Sequence, residues 1–123
     1  MSVNGLGTPL SALQANQFRV DVTANNIANV NTDGFQASSV ATADRAYIND
    51  IGQGTQVTAT YQPARPGPVA VDTAAPGGMV EQSNTDLVNE MTNLMSAQNA
   101  YGVNTSMSRS VDEATQTILD LKG

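Results

Sequence analysis

Leu6-Gly-Thr-Pro-Leu10-Ser-Ala-Leu13-Gln-Ala-Asn-Gln17-Phe-Arg-Val20-Asp-Val-Thr-Ala24-Asn-Asn-Ile27-Ala-Asn-Val30 decides the fold. Leu6, Leu13, Val20 and Ile27 recur every seven residues, and Leu10, Gln17 and Ala24 fall between them at the same interval. Alternating steps of four and three are the a/d spacing of a coiled-coil seam. The stretch therefore reads as a helix with one pairing face, interrupted by the polar Gln17. Thr8 before Pro9 suits an N-cap followed by proline at the first helical position, which starts the helix at Pro9. Its end is expected between Asn29 and Asn31, because Asn31-Thr32-Asp33-Gly34 gathers turn formers and Gly34 can take positive φ.

The far end of the chain repeats the signal. Ser83-Asn-Thr-Asp86 offers helix caps after the break at Pro76-Gly-Gly78. Leu87, Met91, Leu94, Gln98 and Tyr101 then follow steps of four and three, and so do Met107, Val111, Ala114, Ile118 and Leu121. Tyr101 and Met107 are six residues apart where a strict seam needs seven. That slip turns the stripe by about 100°. Gly102 lies at the join, so the helix either bends there or shows its two halves to different partners. Lys122 suits the negative end of the helix dipole.

Between these helices the chain changes character, holding Pro63, Pro66, Pro68 and Pro76. Gln56-Val-Thr-Ala-Thr-Tyr61 alternates as a half-buried strand does, and Val69-Ala-Val71 is the expected partner across Gln62–Pro68. Ala41 to Ile51 fits either a short helix or a loop. The expected architecture is mainly α. Residues 1–34 and 83–123 form one discontinuous helical domain, paired as an antiparallel coiled coil. Residues 35–82 form a small irregular insert with a hairpin over 56–72.

Composition excludes several function classes. The 123 residues suffice for one domain with a modest core. There is no Trp, and two Phe and three Tyr supply little of the large buried area that aromatic rings bring. Two helices alone leave much of their apolar surface open, which argues for oligomerisation. The net charge is −6, and the five basic residues are scattered, so no phosphate-binding patch exists and nucleic acid is not an expected partner. No apolar run reaches the length of a membrane span, so direct membrane insertion is not expected. The N-terminus lacks a basic segment followed by an apolar one, so it does not read as a cleaved signal peptide.

With no His and no Cys, the commonest general base, ordinary zinc sites and disulfides are absent. Asp112 and Glu113 are adjacent and do not face each other on a helix, so they read as a solvated surface. Gly52-Gln-Gly54 lacks the remaining residues of a nucleotide loop and reads as a turn. No cofactor, metal or catalytic residue is expected, and the chain does not read as an enzyme. Asn25 and Asn26 sit inside the expected helix, where Asn is disfavoured. That conflict hints at specific hydrogen bonds, within the fold or to a neighbour.

Two motifs carry a resemblance. Ala24-Asn-Asn-Ile-Ala-Asn-Val-Asn-Thr-Asp-Gly-Phe35 resembles the N-terminal signature of the flagellar rod, hook and hook-associated proteins. Ser83-Asn-Thr-Asp-Leu-Val-Asn-Glu-Met-Thr-Asn-Leu-Met-Ser-Ala-Gln-Asn-Ala-Tyr101, with the tail Ser110 to Leu121, is similar to the C-terminal signature of the same group. The resemblance implies a structural subunit of the basal-body rod, outside the cytoplasm, whose terminal helices pair to line an axial tube. It implies assembly with itself and other rod subunits, and passage through the flagellar export apparatus without a cleaved signal. Asn25, Asn26, Asn29, Asn31, Thr32, Gly34 and Phe35 match the first motif; Ser83, Asn84, Leu87, Glu90, Met91, Gln98 and Tyr101 match the second. It assigns them to helix pairing, the helix-ending turn and subunit contacts. The short insert resembles proximal rod members rather than the larger distal rod and hook proteins. The competing reading is a soluble helical adaptor or chaperone-like module.

Overall fold

The computed structural model describes residues 7–45, 54–62 and 65–123. Leu6 and most of the undecided segment Ala41 to Ile51 lie outside the described residues, as do Gly52, Gln53 and Pro63. The described elements are α1 (Gly7–Ala28), β1 (Ser39–Asp44), β2 (Thr55–Tyr61), β3 (Val69–Val71), β4 (Met79–Glu81) and α2 (Leu87–Lys122). The protein is mostly helical, with two small antiparallel strand pairs between its helices.

Helix α1 starts at Gly7, ahead of the expected Pro9. First-turn amides have no intrahelical acceptor, so a proline there sacrifices no bond. The helix stops at Ala28 because the next turn tightens: the Asn29 N–H is shared between the Asn25 and Asn26 carbonyls, both at 3.2 Å. Asn29 Nδ2 also donates to the Asn25 carbonyl at 2.9 Å, and Thr32 Oγ1 donates to Asn29 Oδ1 at 3.1 Å. Gly34 follows at φ +70 and donates its N–H to the Glu81 carbonyl at 2.7 Å. The exit of α1 is thereby tied to the end of β4.

Helix α2 is capped by Asp86, whose Oδ1 accepts from the Val88 N–H at 3.1 Å and the Asn89 N–H at 3.2 Å. It runs unbroken through Gly102 for 36 residues, against 22 in α1. At about 1.5 Å per residue it is roughly 20 Å the longer.

The strands lie where alternation placed two of them, but the expected pairing over 56–72 does not form. β2 pairs with β1, with a bulge between Ala41 and Thr42, and β3 pairs with β4. Proline explains the exchange, since Pro63, Pro66 and Pro68 remove the amide donors a tight β2–β3 turn would use. Gly67 within this connector presses so close to the Gln82 carbonyl that a Cβ would overlap it. The loop from Asp72 to Gly78 closes well instead. The Asp72 N–H donates to the Gly78 carbonyl at 3.1 Å, and Gly77 and Gly78 supply positive φ. Ala41 to Asp44, expected as the start of a short helix or a loop, are strand, because Ser-Val-Ala-Thr-Ala-Asp finds its backbone partners on β2 although its own alternation is weak.

Helix α1 packs on α2 along one side and on β1 and β2 along another. Among the described residues the buried apolar side chains are Pro9, Ala15 and Ala97, beside buried Ser11, Asn16, Thr23, Asn26 and Ser83. No large apolar side chain described is buried. The interior is small and polar, and it lets helices approach closely without excluding much oily surface from water.

Candidate assembly surface

On α2 the low-exposure positions are Glu90, Leu94, Ala97, Ala100, Asn104, Ser108 and Val111. Their steps of three and four define one face, continuous past Gly102. On α1 the corresponding positions include Ala12, Asn16, Val20, Thr23 and Ile27. Ala15 and Ala97 are buried, 6% and 5% exposed. The most enclosed positions between the helices, Asn16, Thr23 and Ala97, carry small side chains, and the larger Val20 and Leu94 are only half-buried.

The large apolar residues are turned outward. Leu87, Val88, Met91, Met95, Val103 and Met107 are exposed on α2, as are Leu10 and Phe18 on α1. Val88 and Ala97 are nine residues apart, about two and a half turns, so they lie on opposite sides of the helix. Val88, Met95 and Gly102 follow one another at intervals of seven, forming a column on the face away from α1. A Cβ on Gly102 would meet nothing within 4 Å. Beyond Val111 every residue of α2 is exposed, and Leu121 keeps 84% of its surface.

The expected seam residues therefore divide. Leu13, Val20, Ile27, Leu94 and Val111 are half-buried. Leu10, Gln17, Ala24, Leu87, Met91, Gln98, Tyr101, Met107, Ala114, Ile118 and Leu121 are exposed in the single chain. Sequence spacing passed over Ala97, Asn16 and Thr23 because the search favoured large apolar side chains, and it passed over Val88, Met95 and Val103 because they fall off the chosen phase. Heptad spacing of Val88, Met95 and Gly102 was the available signal for an outward column.

Asparagines of the two motifs hold the insert. Asn26 is 1% exposed; its Nδ2 donates to the Ser38 carbonyl at 2.8 Å, and its Oδ1 accepts from the Ser38 N–H at 2.9 Å. From the second motif, Asn84 Oδ1 accepts from the Ala37 N–H at 2.6 Å, and its Nδ2 donates to Gln36 Oε1 at 2.6 Å and to the Arg65 carbonyl at 2.9 Å. The Asn84 N–H donates to the Phe35 carbonyl at 3.1 Å. One asparagine from each end of the chain thus grips the same extended segment, Phe35 to Ser38. Near the other end of α1, Ser11 Oγ accepts from the Thr55 N–H at 3.1 Å and donates to the Thr8 carbonyl at 2.8 Å. Gly54, at φ +88, lies against Ser11 so closely that a Cβ would overlap its Oγ.

A polar cleft of about 260 Å³ opens between α1, α2 and β1, with Asn16, Arg19, Thr23, Ser39, Glu90 and Ser96 in its lining. No cluster of three or more potential metal ligands occurs among the described residues. Nor is any described helix long and apolar enough to cross a membrane.

Comparison with known proteins agrees with this geometry. Residues 6–36 match the family model for the flagella basal body rod protein. Residues 77–121 match that for the flagellar basal body rod FlgEFG protein C-terminal region. The chain is 32% identical to the flagellar basal-body rod protein FlgC of Borreliella burgdorferi, over 79% of this chain and 82% of that one. This chain belongs to the flagellar basal-body rod protein family. It is a structural subunit of the basal-body rod, similar to FlgC, and it assembles with other rod subunits. The adaptor reading is set aside.

Proposed function

We infer that the chain builds its part of the axial tube through the outward faces of its two helices, with α1 and α2 paired as an antiparallel coiled coil inside each subunit. The carrying observation is the inversion of the usual pattern, with Ala, Asn, Ser and Thr inside and Val, Met and Leu outside. Covering a Val or Met side chain from water is worth about 1.5–3 kcal/mol, so a few such residues on α2 supply a substantial driving force for association. Residues 1–34 and 83–123 act as one discontinuous helical domain in this reading, and residues 35–82 as the insert. Leu10, Met91, Met107, Ile118 and Leu121 are subunit contacts, while Leu13, Val20, Ile27, Leu94 and Val111 support the pair within the chain. The turn of Asn29, Asn31, Thr32, Gly34 and Phe35 fixes where the insert leaves the pair. In this reading the subunit reaches its position through the flagellar export apparatus. Sedimentation across a hundredfold concentration range tests the association, with mass and helix content expected to rise together. A chain that stays monomeric throughout, alone and mixed with other rod subunits, contradicts the reading.

A further inference from the structure

The polar cleft holds two side chains that the fold leaves unpartnered. Asn16 is 9% exposed and Thr23 is 6% exposed, and neither has a side-chain hydrogen bond among the described residues. No fully occluded side-chain nitrogen or oxygen in the described structure lacks a partner, so the polar atoms of both residues open onto the cleft they line. In the single chain only water in the cleft can hydrogen-bond them, and a neighbour that displaced this water without replacing its bonds would lose roughly 1–3 kcal/mol for each group. The other lining groups converge on the same space: Arg19 and Glu90 bring opposite charges, and Ser39 and Ser96 bring hydroxyls on short side chains that leave room. The nearby Asn26 shows what this chain does when an interior asparagine is needed for the fold, since both ends of that amide are used. Asn16 and Thr23 are buried too, though less deeply, and are not used.

We propose that this cleft is a socket for a neutral polar side chain, a carboxamide or hydroxyl, carried by a neighbouring rod subunit. The inference rests on the reading of the chain as a subunit whose helices pack among neighbours. Opposite charges at Arg19 and Glu90 leave no net field to favour an ion. Asn16 presents a donor and an acceptor together, which matches a carboxamide. Water has about 30 Å³ per molecule in the liquid, so the cleft has space for a side chain with accompanying water. The socket sets register in the assembly, while the outward apolar face supplies attraction.

Two kinds of variant test this in flagellated cells. Thr23→Val keeps the shape and removes the hydroxyl. Its isolated chain should melt at the same temperature as the parent or higher, while its incorporation into purified basal bodies falls at least fivefold. The chain has no cysteine, so Ser96→Cys and Val88→Cys place single thiols at the cleft and on the outward face. Both should lose maleimide reactivity at least tenfold on assembly. Protection at residue 88 with full reactivity at residue 96 overturns the socket and leaves the assembly reading standing, because the cleft then holds water alone. Protection at residue 96 with normal incorporation of Thr23→Val also overturns it, since the cover makes no polar contact. A lowered melting temperature for isolated Thr23→Val overturns it too, because the hydroxyl then serves the fold. Full reactivity at both positions in assembled rods removes the assembly reading itself, and the socket with it.

Discussion

Asn26 and Ser38 exchange two hydrogen bonds, the side-chain amide of one meeting both backbone groups of the other at 2.8 and 2.9 Å. Asn26 lies two residues from the end of α1, and Ser38 lies just before β1. The amide does for the chain what a neighbouring strand would do, and it closes the turn between helix and insert. Asn26→Ala leaves the Ser38 N–H and carbonyl without these partners in a partly buried place. It should cost about 2–4 kcal/mol, because each orphaned group carries a penalty of roughly 1–3 kcal/mol. Asn26→Asp keeps the acceptor but sets a carboxylate against the Ser38 carbonyl, and should be no better at neutral pH. Urea titration followed by far-ultraviolet circular dichroism measures both.

Gly54 and Ser11 form the second tie between insert and helix. Gly54→Ala introduces both a positive-φ penalty and an overlap with Ser11 Oγ, together about 2–3 kcal/mol. Ser11→Ala alone orphans the Thr55 N–H that the hydroxyl accepts from. Combined, the two changes should cost less than their sum, because the second removes the oxygen that the first strikes. A double-mutant cycle reads the coupling.

Asp86 caps the longer helix through two backbone amides. Asp86→Ala should reduce stability by about 1 kcal/mol, and Asp86→Asn should retain most of it, since either side chain can accept at an N-cap. Comparing the two melting temperatures separates capping from charge.

Gly102 lies inside α2, and a Cβ added there would meet nothing within 4 Å. Gly102→Ala should raise the helix stability of the isolated chain by up to about 1 kcal/mol. If the outward column of Val88, Met95 and Gly102 meets a neighbouring helix closely, the same variant should lower rod incorporation. The opposite signs of these effects would locate the close approach on that column.

Both helices, the end of α1 and the strand character of residues 56–61 and 69–71 were readable from periodicity and turn chemistry. The strand partners were not. Alternation identifies a strand but carries no information about which edge it meets, and here the prolines of the connector decided against the nearest candidate. The inner helix face was hidden for another reason. Heptad spacing weights large apolar residues, whereas the most enclosed positions between these helices are Ala97, Asn16 and Thr23, which look like ordinary helix surface. The misplaced asparagines were the more informative sign. Asn26 proves to serve the fold through Ser38, while Asn25 stays exposed and contributes its carbonyl to Asn29.

The central claim is that the outward apolar face of α2 makes the subunit contacts. Rod incorporation of a Val88→Glu, Met95→Glu double variant, counted in purified basal bodies, tests it most directly. Both side chains are exposed in the single chain, with Val88 retaining 74% of its surface, so the isolated variant should keep the parent's helix content and melting temperature. Its incorporation should fall at least tenfold, and motility should fall with it. Incorporation at the parent level, with the isolated chain equally stable, would contradict the account.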